Sequence, residues 1–182
     1  HTLVFKDGRV DVRKFWSLRM NALEESEEYF SDKLKKVLES SIKRQMIADV
    51  PVASYLSGGL DSSTIVSYAS KFTDKLQTFC MGFGEPTDEF RDAKMVAEKF
   101  GTDHKELIVK FDIMKTLPET IWAIDMPKRN MWPYFIAQKI KNHVKVVLSG
   151  MGGDEVLGGY IYRYDFMKGV GGGEVGSVSE VG

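Results

Sequence analysis

The sequence predicts an α/β protein built on a Rossmann-like parallel sheet with helices on both faces. Short apolar segments alternate with amphipathic ones along most of the chain, which is typical of parallel strands joined by helices. Two of the apolar segments end in glycine-rich turns. In such sheets ligands bind beyond the carboxyl ends of the strands, so these two turns are the candidate site.

A short β-hairpin and a long helix are predicted before the sheet. Residues 2–5 and 10–16 are strand-like and flank Asp7-Gly8, a dipeptide that favours tight turns. A helix is predicted over residues 24–47, because apolar residues recur there at steps of three and four. Pro51 follows this helix, and the residue before a proline is disfavoured in helix.

The sheet itself is predicted from four apolar runs. Strands are expected at residues 52–56, 76–83, 104–109 and 144–148. The helices that connect or follow them are expected at residues 62–72, 89–100, 112–124 and 132–143.

The first glycine-rich turn follows the strand at 52–56 and leads into the helix at 62–72. Glycine lets the backbone approach an anion closely, and serine hydroxyls and a helix amino terminus attract one. Asp61 repels phosphate, so we expect it to hold a divalent metal between its carboxylate and phosphate oxygens. The turn predicts a nucleotide-binding site, although its sequence does not follow the Walker pattern. The alternative is an ordinary turn between a strand and a helix with serine caps. Its residues are Ser57, Gly58, Gly59, Leu60, Asp61, Ser62 and Ser63.

The second glycine-rich turn follows the strand at 144–148 and carries paired acids, Asp154 and Glu155. Asp154 is expected to share a metal with Asp61, so that a triphosphate is clamped while charge develops on the departing pyrophosphate. The alternative is an acidic surface loop.

Together the two turns resemble the synthetase domain of glutamine-dependent asparagine synthetases, which belongs to the ATP-pyrophosphatase (PP-loop) superfamily with an adenine nucleotide alpha hydrolase-like fold. The resemblance rests on Leu-Ser-Gly-Gly-Leu-Asp-Ser-Ser at 56–63 and on Ser-Gly-x-Gly-x-Asp-Glu-x-x-Gly-Gly-Tyr at 149–160. Asp-Val-Pro at 49–51 and the run at 78–83, similar to the family's adenine-contacting strand, agree with it.

The resemblance implies ATP-dependent adenylation of aspartate to β-aspartyl-AMP, followed by amide formation with ammonia. It implies that Asp61, Asp154 and Ser57 are catalytic, with Asp61 and Asp154 as ligands of Mg²⁺. The implied ATP-binding residues are Leu56, Ser57, Gly58, Gly59, Leu60, Asp61, Ser62, Ser63, Met81 and Gly150.

This sequence departs from the family pattern at one position of the second turn. The family usually has a glutamate where Met151 stands, and a thioether cannot accept a proton. Two alternatives therefore stay open: a nucleotide-binding homologue without turnover, and another amide-forming or tRNA-modifying ligase of the same superfamily.

The expected organisation is a hairpin linker at 1–20, an ATP-pyrophosphatase domain at 21–168 and a flexible glycine-rich tail at 169–182. His1 at the start and the tail at the end lead us to expect a truncated chain, in which a separate glutaminase domain or chain, or free ammonia, supplies the nitrogen. Exposed apolar faces of such a chain favour homo-oligomers.

Composition excludes several classes of function. A net charge of −1 argues against nucleic acid as a partner, and a single cysteine excludes an intrachain disulfide framework. There is no membrane-length apolar run and no signal-peptide pattern, so a cytoplasmic location is expected.

Overall fold

The computed structural model describes residues 1–19, 21–86, 88–110, 112–126 and 131–160, without the side chains of Ile113 and Trp132. The predicted tail at 169–182 lies outside the described residues. The chain divides into two compact units, His1–Lys36 and Val37–Gly182. The predicted boundaries at residues 20 and 168 stay a prediction.

The first unit opens with an antiparallel hairpin of β1 (Thr2–Lys6) and β2 (Arg9–Arg13). Positive φ angles at Asp7 (50°) and Gly8 (75°) produce the two-residue turn that the Asp-Gly pair predicts. The second strand ends at Arg13, three residues before the predicted end.

The long helix, α1 (Glu27–Gln45), is shorter than predicted at both ends. Its start is set by Ser26, whose Oγ accepts a hydrogen bond of 3.2 Å from the Tyr29 N–H. Acids in the first turn and bases in the last turn complement the helix dipole. Toward its end, Ile42 is buried and packs into the core of the second unit.

The second unit contains the predicted parallel sheet. Its strands are β3 (Val52–Tyr55), β4 (Gln77–Gly82), β5 (Asp103–Ile108) and β6 (Val146–Leu148), in the order β5-β4-β3-β6 with every pair parallel. The chain runs outward from β3 to β5 and then returns to place β6 on the other side of β3. The strand order therefore reverses between β3 and β6, which is where such sheets bind ligands.

Five helices and one 3-10 turn complete the described part of this unit. They are α2 (Leu60–Ala69), the 3-10 turn Ser70–Phe72, α3 (Phe90–Phe100), α4 (Ile113–Ile124), α5 (Trp132–Ile140) and α6 (Gly153–Leu157). The start of α2 lies two residues before the predicted one, because Gly59 is already its extended N-cap (φ −67°, ψ 163°). The short helix α6 lies in the second glycine-rich segment and was not predicted. None of the described helices combines the length and the apolar character that crossing a membrane requires.

Alternate side chains of the strands pack against helices on opposite faces of the sheet. Cys80 and Leu56 join a core formed with α1, α2 and α3, whereas Phe79 and Ala53 pack with Ile136 and Ile140 of α5. The period-two alternation of β4 supplies a buried residue to each face. The predicted fold, a parallel sheet with helices on both faces after a hairpin and a long helix, is confirmed.

Replacing Phe79 with alanine should destabilise the domain by about 3–5 kcal/mol, because it removes a large side chain that is 1% exposed and leaves a cavity. Met95→Ala is the control: Met95 is 56% exposed on α3, and its loss should change the unfolding free energy by less than about 0.5 kcal/mol. Urea unfolding of both variants checks this. Equal effects would contradict the packing described for β4.

The environment of His104 leads us to expect that the free energy of unfolding falls in weak acid. Its Nδ1 is 2.9 Å from Thr78 Oγ1, and its Nε2 is buried without a hydrogen-bond partner in the described structure. Desolvation lowers the pKa of His104, although the nearby Glu106 opposes the shift. The unfolded chain then binds more protons than the folded one, so stability is complete above about pH 6.5 and falls as the pH drops toward the lowered pKa.

The measurement is the urea midpoint between pH 7.5 and pH 5, for wild type and His104→Asn. The variant should lose less stability on acidification, since it cannot take up this proton. If His104→Asn keeps the wild-type pH dependence, His104 is not the titrating group.

Candidate functional site

The two glycine-rich turns meet because they leave neighbouring parallel strands at the same edge. Ser54 of β3 pairs with Leu148 of β6, so the turns that begin at Ser57 and Ser149 start side by side. A hydrogen bond from Ser54 Oγ to the Leu148 carbonyl (3.5 Å) joins the two strands next to the turns. Both turns therefore lie at the carboxyl edge of the sheet, as predicted.

The first turn is shaped by its own serine hydroxyls. Ser62 Oγ accepts a hydrogen bond from the Ser57 N–H (3.2 Å), donates to the Gly59 carbonyl (3.2 Å) and lies 3.1 Å from Ser57 Oγ. Ser57 Oγ also accepts from the Gly59 N–H (3.3 Å). These bonds curl the backbone into a compact loop in front of α2.

The amino terminus of α2 opens onto this loop. Its N-cap residue is Gly59, which has no side chain to accept hydrogen bonds from the first N–H groups of the helix. The first N–H groups of a helix have no intrahelical acceptor and carry a partial positive charge. Ten residues of helix behind an N-cap without a side-chain acceptor make this a favourable position for an anion.

Two glycines let the second turn press against the first. A β-carbon at Gly150 would lie 2.8 Å from Asp61 Cβ and 2.9 Å from the Ser62 nitrogen. A β-carbon at Gly153 would lie 2.6 Å from the Asp61 carboxylate. A side chain at Gly150 would meet the backbone of Asp61 and Ser62 and push the turns apart, whereas a side chain at Gly153 would displace the Asp61 carboxylate. The contact at Gly153 brings that carboxylate beside the residue that precedes Asp154.

A cavity of about 320 Å³ lies between the turns. Five of the predicted site residues line it: Ser57, Asp61, Ser62, Gly150 and Asp154. Six others do not: Leu56, Gly58, Gly59, Leu60, Ser63 and Met81. Of these, Leu56 is buried and Leu60 is exposed, and the Ser63 hydroxyl is buried without a partner in the described structure.

Sequence reasoning did not assign several lining residues to the site. These are Tyr55, Ser149, Met151, Gly152, Glu155 and Tyr160. Glu155 and Tyr160 belong to the second glycine-rich motif, and Tyr160 Oη donates to Glu155 Oε1 (2.6 Å). The motif was thus a usable signal for both, whereas nothing in the run around Tyr55 distinguishes it from a core residue. Burial raises the pKa of the Tyr55 hydroxyl.

The cavity carries negative charge of its own. Asp61, Asp154 and Glu155 line it, and none of the described lining residues is a lysine or arginine. No three or more metal-binding side chains cluster anywhere in the described part of the chain. Of these three carboxylates, that of Glu155 accepts a hydrogen bond from Tyr160. Those of Asp61 and Asp154 fit Mg²⁺, which takes one or two protein carboxylates and completes its shell with phosphate oxygens and water.

The domain is of the α/β class, with a parallel sheet that carries a helix amino terminus, serine hydroxyls and paired acids at its switch point. The family model described as asparagine synthase matches residues 33–171. The chain therefore belongs to the asparagine synthase family, as its two motifs predict.

Three curated relatives agree with this. The chain is 36% identical to asparagine synthetase [glutamine-hydrolyzing] 1 of Bacillus subtilis, over 86% of this chain and 26% of that protein. It is 38% identical to asparagine synthetase [glutamine-hydrolyzing] 2 of Oryza sativa subsp. japonica (71% and 24%) and 35% identical to the asparagine synthetase [glutamine-hydrolyzing] of Asparagus officinalis (71% and 25%). The chain spans about a quarter of the length of these relatives.

Among solved structures, an NH3-dependent NAD synthetase from Campylobacter jejuni is similar with a TM-score of 0.48 and 16% identity, over 71% of this chain and 60% of that chain. The likeness is too weak to support an argument about this site.

Replacing Gly150 with alanine should destabilise the domain by about 1–3 kcal/mol, because the added methyl group overlaps Asp61 and Ser62. Gly59→Ala is the steric control, since its β-carbon would lie at an ordinary 3.4 Å from Ser57 Oγ and its φ is negative. Thermal unfolding of both variants makes the comparison. A Gly150→Ala protein as stable as Gly59→Ala would refute the close packing of the two turns.

Proposed function

We propose that this domain activates a carboxylate with ATP by adenylation, as an asparagine synthetase-like ligase. The observation that carries the proposal is the cavity between the two turns, where the serine hydroxyls of an anion-binding loop and two carboxylates face one another. In a member of the asparagine synthase family, these groups suit the triphosphate of ATP and its metal.

The proposed first step is attack by a carboxylate oxygen of aspartate on the α-phosphorus of ATP. A new P–O bond forms, the bond to the β-phosphate oxygen breaks, and pyrophosphate leaves with the electron pair. Ser57, Ser62 and the start of α2 are the proposed phosphate ligands, and the two serine hydroxyls would exchange their hydrogen bonds within the loop for hydrogen bonds to phosphate oxygens. No nucleophile from the protein is required, so the site acts by positioning and charge stabilisation.

Asp61 and Asp154 are the proposed ligands of Mg²⁺. Held there, the ion would supply positive charge against the negative charge that develops on the departing pyrophosphate. The two carboxylates lie in the first turns of α2 and α6, which follow the neighbouring strands β3 and β6, and Gly153 allows the segment that bears Asp154 to approach Asp61. This arrangement offers one protein oxygen from each turn.

The proposed nucleoside contacts are made by the backbone at the ends of β3 and β4. The Leu56 N–H donates to the Phe79 carbonyl (2.9 Å), so a contact from Leu56 to adenine or ribose would use its carbonyl oxygen. Met81 at the end of β4 and Gly150 are the other proposed contacts. Gly58, Gly59, Leu60 and Ser63 do not line the cavity, and their proposed contribution to phosphate binding is through the backbone of the loop and of the start of α2.

In the proposed second step, ammonia attacks the acyl carbon, AMP leaves, and the proton lost by nitrogen passes to solvent. Met151 cannot receive that proton, although it lines the cavity and is 79% exposed. Cys80, the single cysteine, is not a suitable nucleophile for releasing ammonia from glutamine. Burial raises the pKa of its thiol to about 11 and keeps the thiol protonated. We therefore propose that ammonia comes from solution or from a glutaminase domain or chain, in the cytoplasm.

The test is Mg²⁺-dependent pyrophosphate release from ATP, measured with and without aspartate and with ammonia. Release should require the acid, and Asp61→Asn and Asp154→Asn should each lower the rate by about 100-fold or more, the effect of removing one preorganised stabilising group. Asp74→Asn is the matched control, since Asp74 is exposed before β4 at the amino edge of the sheet. Its rate should stay at the wild-type value.

The other results are equally informative. ATP binding without pyrophosphate release in the presence of any carboxylate would reject catalysis by this chain and favour a nucleotide-binding homologue. Release that requires a carboxylate other than aspartate would retain adenylation and reject aspartate as the substrate.

A further inference from the structure

A carboxylate outside the cavity organises the connection between β4 and α3. Asp88 Oδ2 accepts hydrogen bonds from the N–H groups of Phe83 (3.0 Å), Gly84 (2.7 Å) and Glu85 (3.0 Å). The Phe83 N–H is also 3.0 Å from Asp88 Oδ1. Three successive backbone donors thus converge on one side chain, directly after the strand end at Gly82.

Two further features position Asp88. The Asp88 N–H donates to the Glu85 carbonyl (3.0 Å). A β-carbon at Gly82 would collide with the Asp88 carboxylate and would lie 2.5 Å from the Phe90 ring. Gly82 therefore allows Asp88 to pack directly on the backbone at the end of β4.

The charge of Asp88 strengthens this arrangement. Hydrogen bonds from the backbone, that of Phe83 first, lower the pKa of the carboxyl group below its ordinary value. The group is ionised at neutral pH, and hydrogen bonds to an ionised acceptor are stronger than those between neutral groups.

The helix that follows Asp88 touches the proposed phosphate loop. A β-carbon at Gly58, where φ is +84°, would lie 2.6 Å from the Asp92 backbone carbon and 2.7 Å from the Ala93 nitrogen. The backbone of Gly58 therefore rests against the first turn of α3. On the strand side, β4 adjoins β3, and Phe79 bonds to Leu56 just before the loop begins.

We propose that Asp88 is a positioning residue for the nucleotide site. By fixing the β4–α3 connection, it holds the first turn of α3 against Gly58 and keeps the Ser57–Ser62 loop in its anion-binding shape. Asp88 does not line the cavity and acts through the backbone. The inference rests on the proposed function, because it assumes that this loop binds the phosphates of ATP.

The test compares Asp88→Ala and Asp88→Asn with the control Asp112→Asn. Asp112 also accepts hydrogen bonds from backbone N–H groups, those of Met114 and Lys115, but it caps α4 beyond the edge strand β5. ATP affinity and tripolyphosphate affinity are measured by calorimetry in the presence of Mg²⁺, at a temperature where each variant is fully folded by circular dichroism.

Asp88→Ala should weaken binding of both ATP and tripolyphosphate by about tenfold or more, a factor equivalent to losing one hydrogen bond to a charged group. Asp88→Asn should recover part of the affinity, because the remaining amide oxygen, with two lone pairs, can still accept from two of the three N–H groups. Asp112→Asn should lower the melting temperature and leave both affinities unchanged.

Wild-type ATP affinity in folded Asp88→Ala would overturn the proposal, and so would an equal loss in Asp112→Asn. If Asp88→Ala does not fold, Asp88→Asn decides: weakened binding by the folded protein supports the role, and unchanged binding overturns it. Wild-type protein that does not bind ATP would reject the proposed function and the role of Asp88 with it. If the wild-type protein binds ATP and Asp88→Ala binds it with the same affinity, only the role of Asp88 is rejected.

Discussion

The parallel pairing of β3 with β6 is the constraint on which the candidate site depends. Ser54 and Leu148 are 94 residues apart in the chain, yet their strands are neighbours. Each strand ends in a glycine-rich turn, so the pairing places the two turns beside each other at one edge of the sheet. Without it, Asp61 and Asp154 would belong to two unrelated loops, and neither loop alone encloses a cavity.

Close backbone approach is the second requirement, and glycine meets it on both sides of the first turn. Gly150 and Gly153 let the second turn contact Asp61, and Gly58 lets the first turn contact α3. Each contact is shorter than a β-carbon would permit, so the shape of the loop depends on three separate segments of chain. Asp88 belongs to the same arrangement, because it binds the backbone that follows β4 and lies two residues before one of those segments, α3.

Much of this was predictable, and the misses have physical causes. The strand–helix alternation predicted the parallel sheet, because hydrophobic period reflects local geometry. The helix α6 was missed because its five residues lie within a glycine-rich segment that reads as a turn. Strand and helix ends were misplaced by up to three residues, at Arg13 and Glu27 for example, since ends depend on caps and packing.

The sequence by itself determined the class of fold, the two phosphate-type turns and the family, because strand period, turn chemistry and short motifs are properties of neighbouring residues. Only the tertiary structure decided which of those residues face the cavity. It placed Ser57, Asp61 and Asp154 there together with Tyr55, and it left Leu56 and Met81 outside the lining. That choice follows from strand register and from backbone approach between segments distant in sequence, neither of which a local pattern records.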